Sequence, residues 1–250
     1  IDQVLENFKL LMSRSGPTGI WGALGAYASV GLFFDLVSLV PRYMTAKSIA
    51  EANVFGAIAS SAGSAGWNLC AFLPLLISFF VVGAGRLGLA RAQREALFQG
   101  PQHRSPGDAL KMSFERFGAS LVAMIVLTLL SGIALCLCIL PLIPTMWALF
   151  MMPFLVAASG MELGAAFGKS FELAQQHALA IFGTMGMVFA GALVLGVCGA
   201  LTGGTPMGVL VGGTLLSLVS AAYSVVAWQL VGATQITIES VATNTPIARG

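Results

Sequence analysis

Residues 118–158 read GASLVAMIVLTLLSGIALCLCILPLIPTMWALFMMPFLVAA, with no Asp, Glu, Lys or Arg anywhere in the stretch. A helix crosses the hydrocarbon core in about 20 residues, so this run is too long for one crossing and too apolar for a water-soluble surface. Pro141-Leu142-Ile143-Pro144 is a strong breaker within it. Proline lacks the N–H that continues a helix and clashes with the preceding turn. The run therefore divides into a span at 119–140 and a shorter one at 145–158, which contains Pro153 and needs flanking residues or a kink to cross.

Further apolar runs lie on either side. One covers 20–40 and is closed by Pro41 and Arg42; a second covers 67–90 and is interrupted by Arg86. On the C-terminal side lie 178–201 and 207–233, separated by the turn-forming Thr202-Gly203-Gly204-Thr205-Pro206. The expectation is an all-α integral membrane domain over 1–235, with six transmembrane helices arranged as three hairpins. Residues 236–250 are Thr-rich and read as a polar surface tail. Between the first two spans, 46–59 reads as a short helix in the one sizeable outer loop.

Composition agrees with this reading. Hydrophobic residues make up 57% of the chain and charged residues 9%, and the mean hydropathy is +0.90. Soluble domains are about one quarter charged. A disordered chain, a nucleic-acid-binding protein and an ordinary cytosolic enzyme are excluded on these values. The net charge of +2 is too small to steer nucleic acid. The location of the charges is more informative. With the N-terminus in the cytoplasm, the inner segments hold Lys9, Arg14, Arg86, Arg91, Arg94, Arg104, Lys111, Arg116, Lys169 and Arg249, while the outer ones hold only Arg42 and Lys47. Basic residues flank spans on the cytoplasmic side. The bias predicts an even number of crossings, both termini inside, and a bacterial inner-membrane location. Residues 1–15 carry Asp2, Glu6, Lys9 and Arg14, a pattern unlike the apolar core of a secretory signal.

Each hairpin is preceded by a stretch of helical periodicity with one apolar face. Ile1, Leu5, Phe8 and Met12 form the first stripe; Leu110, Phe114 and Phe117 the second; Leu163, Phe167, Phe171 and Ala174 the third. Ser105-Pro106-Gly107-Asp108 supplies an N-cap followed by proline at the first helical position. Such helices lie in the membrane interface, here as cytoplasmic elbows. Ser113-Phe114-Glu115 recurs as Ser170-Phe171-Glu172, and Arg14-x-Gly16 matches Arg116-x-Gly118, which points to three copies of an elbow-plus-hairpin unit.

The elbow Asp108-Ala-Leu-Lys-Met-Ser113-Phe-Glu-Arg-Phe-Gly118, running into an apolar span, resembles that of poorly characterised bacterial six-helix membrane proteins. These include the membrane domain associated with glycerophosphodiester phosphodiesterases and related domains of unknown function. Ala166-Phe-Gly-Lys-Ser170-Phe-Glu-Leu173 resembles it again. The phosphodiesterase activity of that family belongs to a separate soluble domain, so the resemblance implies a fold and not a reaction. The three-hairpin plan is also similar to that of mitochondrial carriers, but their Pro-x-acidic-x-x-basic signature does not follow the odd-numbered spans.

Within the spans, Asp35 is the sharpest candidate, because a carboxylate in hydrocarbon is costly and marks a proton, cation or solute site. Five residues before Val40, it lies about 8 Å from that end of the span. Asn68 and Gln229 are further intramembrane polar groups, suited to interhelical hydrogen bonding. Arg86, Arg91, Arg94, Arg104, Lys111 and Arg116 form a basic segment that predicts contact with anionic lipid head groups. Gly160, Gly164 and Gly168, and likewise Gly208 and Gly212, are spaced for close helix packing within or between subunits. Cys70, Cys136, Cys138 and Cys198 all lie in apolar runs and read as buried packing residues, not metal ligands. His103 and His177 are the only histidines. No metal-binding His pair, phosphate-binding glycine loop or Ser–His–acid set is spelled out, so neither catalysis nor a cofactor is expected. The functional expectation is a binding or assembly subunit of a homo-oligomer or larger membrane complex, in contact with membrane lipids. The alternative is a small transporter or channel for a lipid or weak acid that uses Asp35.

Overall fold

A computed structural model describes residues 1–51, 56–100, 102–137, 139–202 and 205–248, with the side chains of 48–69, 71, 135, 137, 139–142 and 202 outside the description. Its helices are α1 (Asp2–Arg14), α2 (Ile20–Glu51), α3 (Gly56–Gly88), α4 (Ala90–Phe98), α5 (Pro106–Glu115), α6 (Phe117–Leu137), α7 (Ile139–Ala148), α8 (Met152–Ser159), α9 (Leu163–Gln176), α10 (Ala178–Thr202) and α11 (Gly213–Thr243). One π-helical turn, Gly208–Gly212, leads into α11. No strand occurs among the described residues.

Five helical stretches are long and apolar enough to cross a membrane: Ile20–Lys47, Phe72–Phe98, Phe117–Ala134, Ala178–Leu201 and Gly208–Thr243. The expected crossing at 145–158 is a shorter apolar stretch, Ile143–Ser159. It is also broken. α7 ends at Ala148, and α8 restarts at Met152 with Pro153 in its first turn. The break at Pro141–Pro144 expected from the sequence does not form: α7 runs through both prolines. α2 likewise continues through Pro41 to Glu51 instead of stopping at Val40. The turn at Gly203–Gly204 and the joint of the 46–59 helix at 52–55 lie outside the described residues.

The chain divides into two compact units, where the sequence reading treats 1–235 as one membrane domain. The first comprises Ile1–Tyr27, Gly83–Met187 and Val226–Gly250; the second comprises Ala28–Val82 and Val188–Val225.

The first unit holds the three short helices α1, α5 and α9. Their buried faces differ from the apolar stripes read in the sequence. Phe114, Phe167 and Phe171 are exposed, whereas Ser113 and Ser170 are fully buried. The recurrent serine explains this. Ser113 Oγ donates to the Gly85 carbonyl at 2.5 Å and accepts from the Tyr27 hydroxyl at 2.7 Å, just before the α3–α4 junction at Leu89. Ser170 Oγ donates to the Ala148 carbonyl at 2.6 Å and accepts from the Met151 N–H at 3.2 Å, across the α7–α8 break. Each serine satisfies backbone groups that an interrupted helix leaves orphaned. Gly88 permits the close approach: a Cβ there would meet the Ser113 carbonyl oxygen.

The first five residues of the expected polar tail, 236–240, are instead part of the interior of this unit, while 241–246 are exposed. α11 continues to Thr243, with Ile236, Thr237, Ile238, Glu239 and Ser240 buried. Beyond it, the Ala248 N–H donates to the Leu97 carbonyl at 3.1 Å. The Thr and Ile that suggest β structure carry only a weak local preference, which burial overrides.

The second unit is sparsely packed in itself. Its closest approaches use small residues: Gly31 faces Ser78 and Val82, Gly213 faces Leu39, and Gly191 faces Tyr223. The Tyr223 hydroxyl donates to the Val188 carbonyl. Phe33, Val40, Phe72, Leu193, Val197 and Leu215 are exposed. These are the outward groups of helices whose solvent is lipid, in which apolar side chains need no protein cover.

Candidate functional site

Asp35 lies in the second unit, in a cavity of about 240 Å³ lined by Asp35 and Arg42 of α2, Leu195 of α10, and Leu216, Ser217 and Ser220 of α11. Helix spacing brings each pair to one wall. Asp35 and Arg42 are two turns apart, and Ser217 and Ser220 are three residues apart, so each pair shares a face. The Ser38 hydroxyl donates to the Asp35 carbonyl at 2.7 Å, an intrahelical bond that leaves the carboxylate to face the cavity.

The depth of Asp35 changes with the length of α2. The apolar stretch runs from Ile20 to Lys47. At 1.5 Å per residue, Asp35 is about 22 Å from Ile20 and about 18 Å from Lys47. Asp35 thus lies near the middle of this stretch of helix, which carries Arg42 and Lys47 beyond the expected close at Val40. Arg42 is only about 7 Å from Lys47. Among the described residues, no ion pair joins Asp35 to Arg42, although the two charges line the same cavity.

Gln229 has a different role. It is fully buried in the first unit, where its Nε2 donates to Ser15 Oγ at 2.9 Å and its Oε1 accepts from Gln93 Nε2 at 3.1 Å. Ser15 in turn donates to the Leu11 carbonyl at 2.6 Å. Further bonds join the same part of α11 to its neighbours. Asn7 donates to Thr237 at 2.8 Å, Gln235 donates to the Phe150 carbonyl at 2.8 Å, and the Thr184 and Thr234 hydroxyls lie 2.8 Å apart. Gln229 thus belongs to a satisfied interior network. The Asn68 side chain lies outside the described residues.

Most of the basic segment is committed to the protein itself. Arg91 pairs with Glu95 at 3.1 Å and lies 3.9 Å from Glu115, and Arg104 pairs with Glu95 at 2.8 Å. Arg94 reaches both carboxylate oxygens of the buried Glu239, at 3.0 and 2.8 Å, and Ser159 approaches the same carboxylate at 3.5 Å. Arg86 is buried. Lys111 is exposed, and the Arg116 guanidinium lies over Gly160. Of the six basic residues, Arg91, Arg94 and Arg104 thus have carboxylate partners within the protein. Arg14 is buried as well, donating to the carbonyls of Ala96, Leu97 and Ala248 at 3.0, 3.2 and 2.6 Å. Burial draws its pKa below the ordinary value.

The glycine stripes also change meaning. Gly160 is the left-handed C-cap of α8, with φ 68°, and does not share a helix with Gly164 and Gly168. Gly164 and Gly168 face open space. Gly208 and Gly212 bound the π-helical turn. Cys70, Cys136 and Cys198 are exposed, not buried, and Cys138 lies outside the described residues. A thiol facing lipid loses nothing by lacking protein cover, which explains the apolar runs around these cysteines. Among the described residues, no group of three His, Cys, Asp or Glu side chains is placed to hold a metal ion.

Sequence reasoning singles out Asp35, with Arg42 or Lys47 as a charge partner near the outer head groups, but misses Ser217 and Ser220. Arg42 reads as a loop residue beyond a span that closes at Val40. Ser217-Leu-Val-Ser220 is inconspicuous inside an apolar run, although two hydroxyls at helical spacing are the available signal. No family model, no curated protein and no solved structure matches the chain.

Proposed function

We propose that the protein is a multi-pass binding subunit of the bacterial inner membrane, holding a small polar ligand in the cavity between Asp35, Arg42, Ser217 and Ser220. The observation that carries this reading is the convergence of two opposite charges and two hydroxyls from α2 and α11 on one cavity of about 240 Å³. Polar groups at that depth in a spanning helix are costly and are retained where they meet a ligand, an ion or one another.

In the same proposal Ile143–Ser159 is the sixth crossing, the crossings form three hairpins, and both termini lie in the cytoplasm. The ten-to-two distribution of Lys and Arg supports that orientation. The exposed Phe114, Phe167 and Phe171 support an interfacial position for α5 and α9, as elbows in the manner of the six-helix proteins the sequence resembles. Assembly into a homo-oligomer or larger membrane complex is the companion reading. Only 11% of the most apolar window of Ala178–Leu201, and 6% of that of Gly208–Thr243, is buried within the chain. Transport of the ligand is the alternative, supported by a carboxylate, Asp35, within a helix of membrane length. The reading assigns binding and no turnover.

Native mass spectrometry of the protein released gently from its own membrane tests the proposal. The expected spectrum shows a small bound mass that is absent from a folded Asp35→Asn variant. A bound mass retained equally by the two proteins would remove the cavity from consideration, while the subunit count separately decides assembly.

A further inference from the structure

The charges and size of the Asp35 cavity also point to a class of ligand, an inference that rests on the binding role proposed above. We infer that the Asp35–Arg42 cavity takes a small free zwitterion, with its ammonium group on Asp35 and its phosphate or carboxylate on Arg42.

Three features of the site lead to this class. First, the two charges line one wall near enough to act on each other, yet among the described residues no hydrogen bond or ion pair joins them, so each retains donors or acceptors for an opposite charge. A simple anion would leave the Asp35 carboxylate unmatched, and a simple cation would leave Arg42 unmatched. Arg presents a planar fork suited to phosphate and carboxylate oxygens, and a carboxylate accepts the three N–H bonds of an ammonium group. Second, the volume is limiting. At about 30 Å³ per water molecule, the cavity holds roughly eight water-sized atoms, which is the scale of a small amino acid or phosphoethanolamine. Leu195 and Leu216 close it with apolar surface, and Ser217 and Ser220 offer hydroxyls to the remaining polar groups.

Third, the order of the charges selects the source. Along α2, Arg42 is nearer the Lys47 end and Asp35 lies about 10 Å deeper. A lipid such as phosphatidylethanolamine, in its normal pose on that side, places phosphate deeper and ammonium shallower, the reverse of what the cavity offers. A soluble zwitterion entering ammonium-first matches it.

The test uses the full chain in nanodiscs of phosphatidylglycerol, which carry no zwitterionic lipid, titrated calorimetrically with phosphoethanolamine, ethanolamine and glycerol phosphate. Phosphoethanolamine is expected to bind at least tenfold more tightly than either half-ligand. Asp35→Asn should remove that advantage and leave glycerol phosphate unchanged, whereas Arg42→Gln should weaken both phosphate compounds at least tenfold. Gly132→Ala, which adds a methyl group in open space outside the cavity, should retain the preference and serves as the folded control.

Equal binding of phosphoethanolamine and glycerol phosphate, lost only in Arg42→Gln, would overturn the zwitterion inference while sparing the cavity. Failure of phosphoethanolamine to bind, combined with Asp35-dependent retention of phosphatidylethanolamine in mixed nanodiscs, would overturn the soluble source. Binding indifferent to both variants, or no binding of any probe, would overturn the inference; if the mass retained from the native membrane is also indifferent to Asp35→Asn, the cavity reading falls with it.

Discussion

Replacing Gln229 by Leu tests whether the hydrogen-bond chain Gln93–Gln229–Ser15 holds the first unit together. Gln229 is fully buried, donates to Ser15 at 2.9 Å and accepts from Gln93 at 3.1 Å. Leu fills a similar volume without either function. Ser15 keeps its own bond to the Leu11 carbonyl, so losing the Gln229 donor costs it about 1 kcal/mol. Gln93 is also buried, and its stranded N–H costs about 1–3 kcal/mol. Gln229→Leu should therefore destabilise by about 2–4 kcal/mol. Gln93→Leu strands the Gln229 carbonyl and should cost about 1–2 kcal/mol. The double variant strands neither amide. It should be less destabilised than the sum of the singles by about 1–3 kcal/mol, above the roughly 0.6 kcal/mol average for side-chain bonds between membrane helices. Reversible unfolding in mixed micelles, followed by the fluorescence of the tryptophans (Trp228 adjoins the substitution), measures all four corners of the cycle. Additivity within about 0.5 kcal/mol would show that the two amides do not interact and refute the network. Ligand retained by the folded fraction of each variant should be unchanged, since Gln229 lies outside the Asp35 cavity.

Four further substitutions probe other parts of the fold. Glu239→Gln removes the charge that holds Arg94, whose side chain is 39% exposed; solvent screening limits the loss to about 1–2 kcal/mol in the same assay, and no change would show the pair to be fully hydrated. The Ser105 hydroxyl and N–H hold the Asp108 carboxyl below its ordinary pKa. The stability this cap adds is present above the unfolded pKa and lost as pH falls through the lower folded one. Ser105→Ala should cost about 1 kcal/mol at neutral pH and flatten the acid-side decline, as measured by unfolding across the acid range. Gly88→Ala drives a Cβ against the Ser113 carbonyl and should destabilise by about 1–3 kcal/mol. Gly164→Ala enters open space and should leave monomer stability within about 0.5 kcal/mol. A loss of oligomer mass in that variant alone would assign the α9 glycines to a subunit contact.

Much of the architecture is legible in the chain because apolar run length and charge scarcity are local properties. The long apolar helices follow from the absence of charge over segments such as 117–134 and 178–201. The cap at Ser105 follows from four adjacent residues. Amphipathic periodicity also places α1, α5 and α9, but not the side they bury. The pattern suggests the Phe stripes, whereas Phe114 and Phe171 are exposed and the protein keeps the serines for its backbone breaks.

By itself, then, the sequence determined that this is a helical chain with membrane-length segments, and that Asp35 is the carboxylate to examine, because these depend on the transfer cost of individual side chains. The tertiary structure alone decided that α2 passes Pro41, which puts Asp35 near the middle of the helix and Arg42 beside the same cavity. It alone turned 236–240 from the start of a polar tail into interior, and it gave Arg91, Arg94 and Arg104 their carboxylate partners. Those outcomes depend on which distant partners satisfy a buried donor or charge: Ser15 for Gln229, Glu239 for Arg94, Ser170 for the break at Ala148. Partners far apart in the chain leave no local pattern to read, so their pairing becomes visible only once the helices are packed.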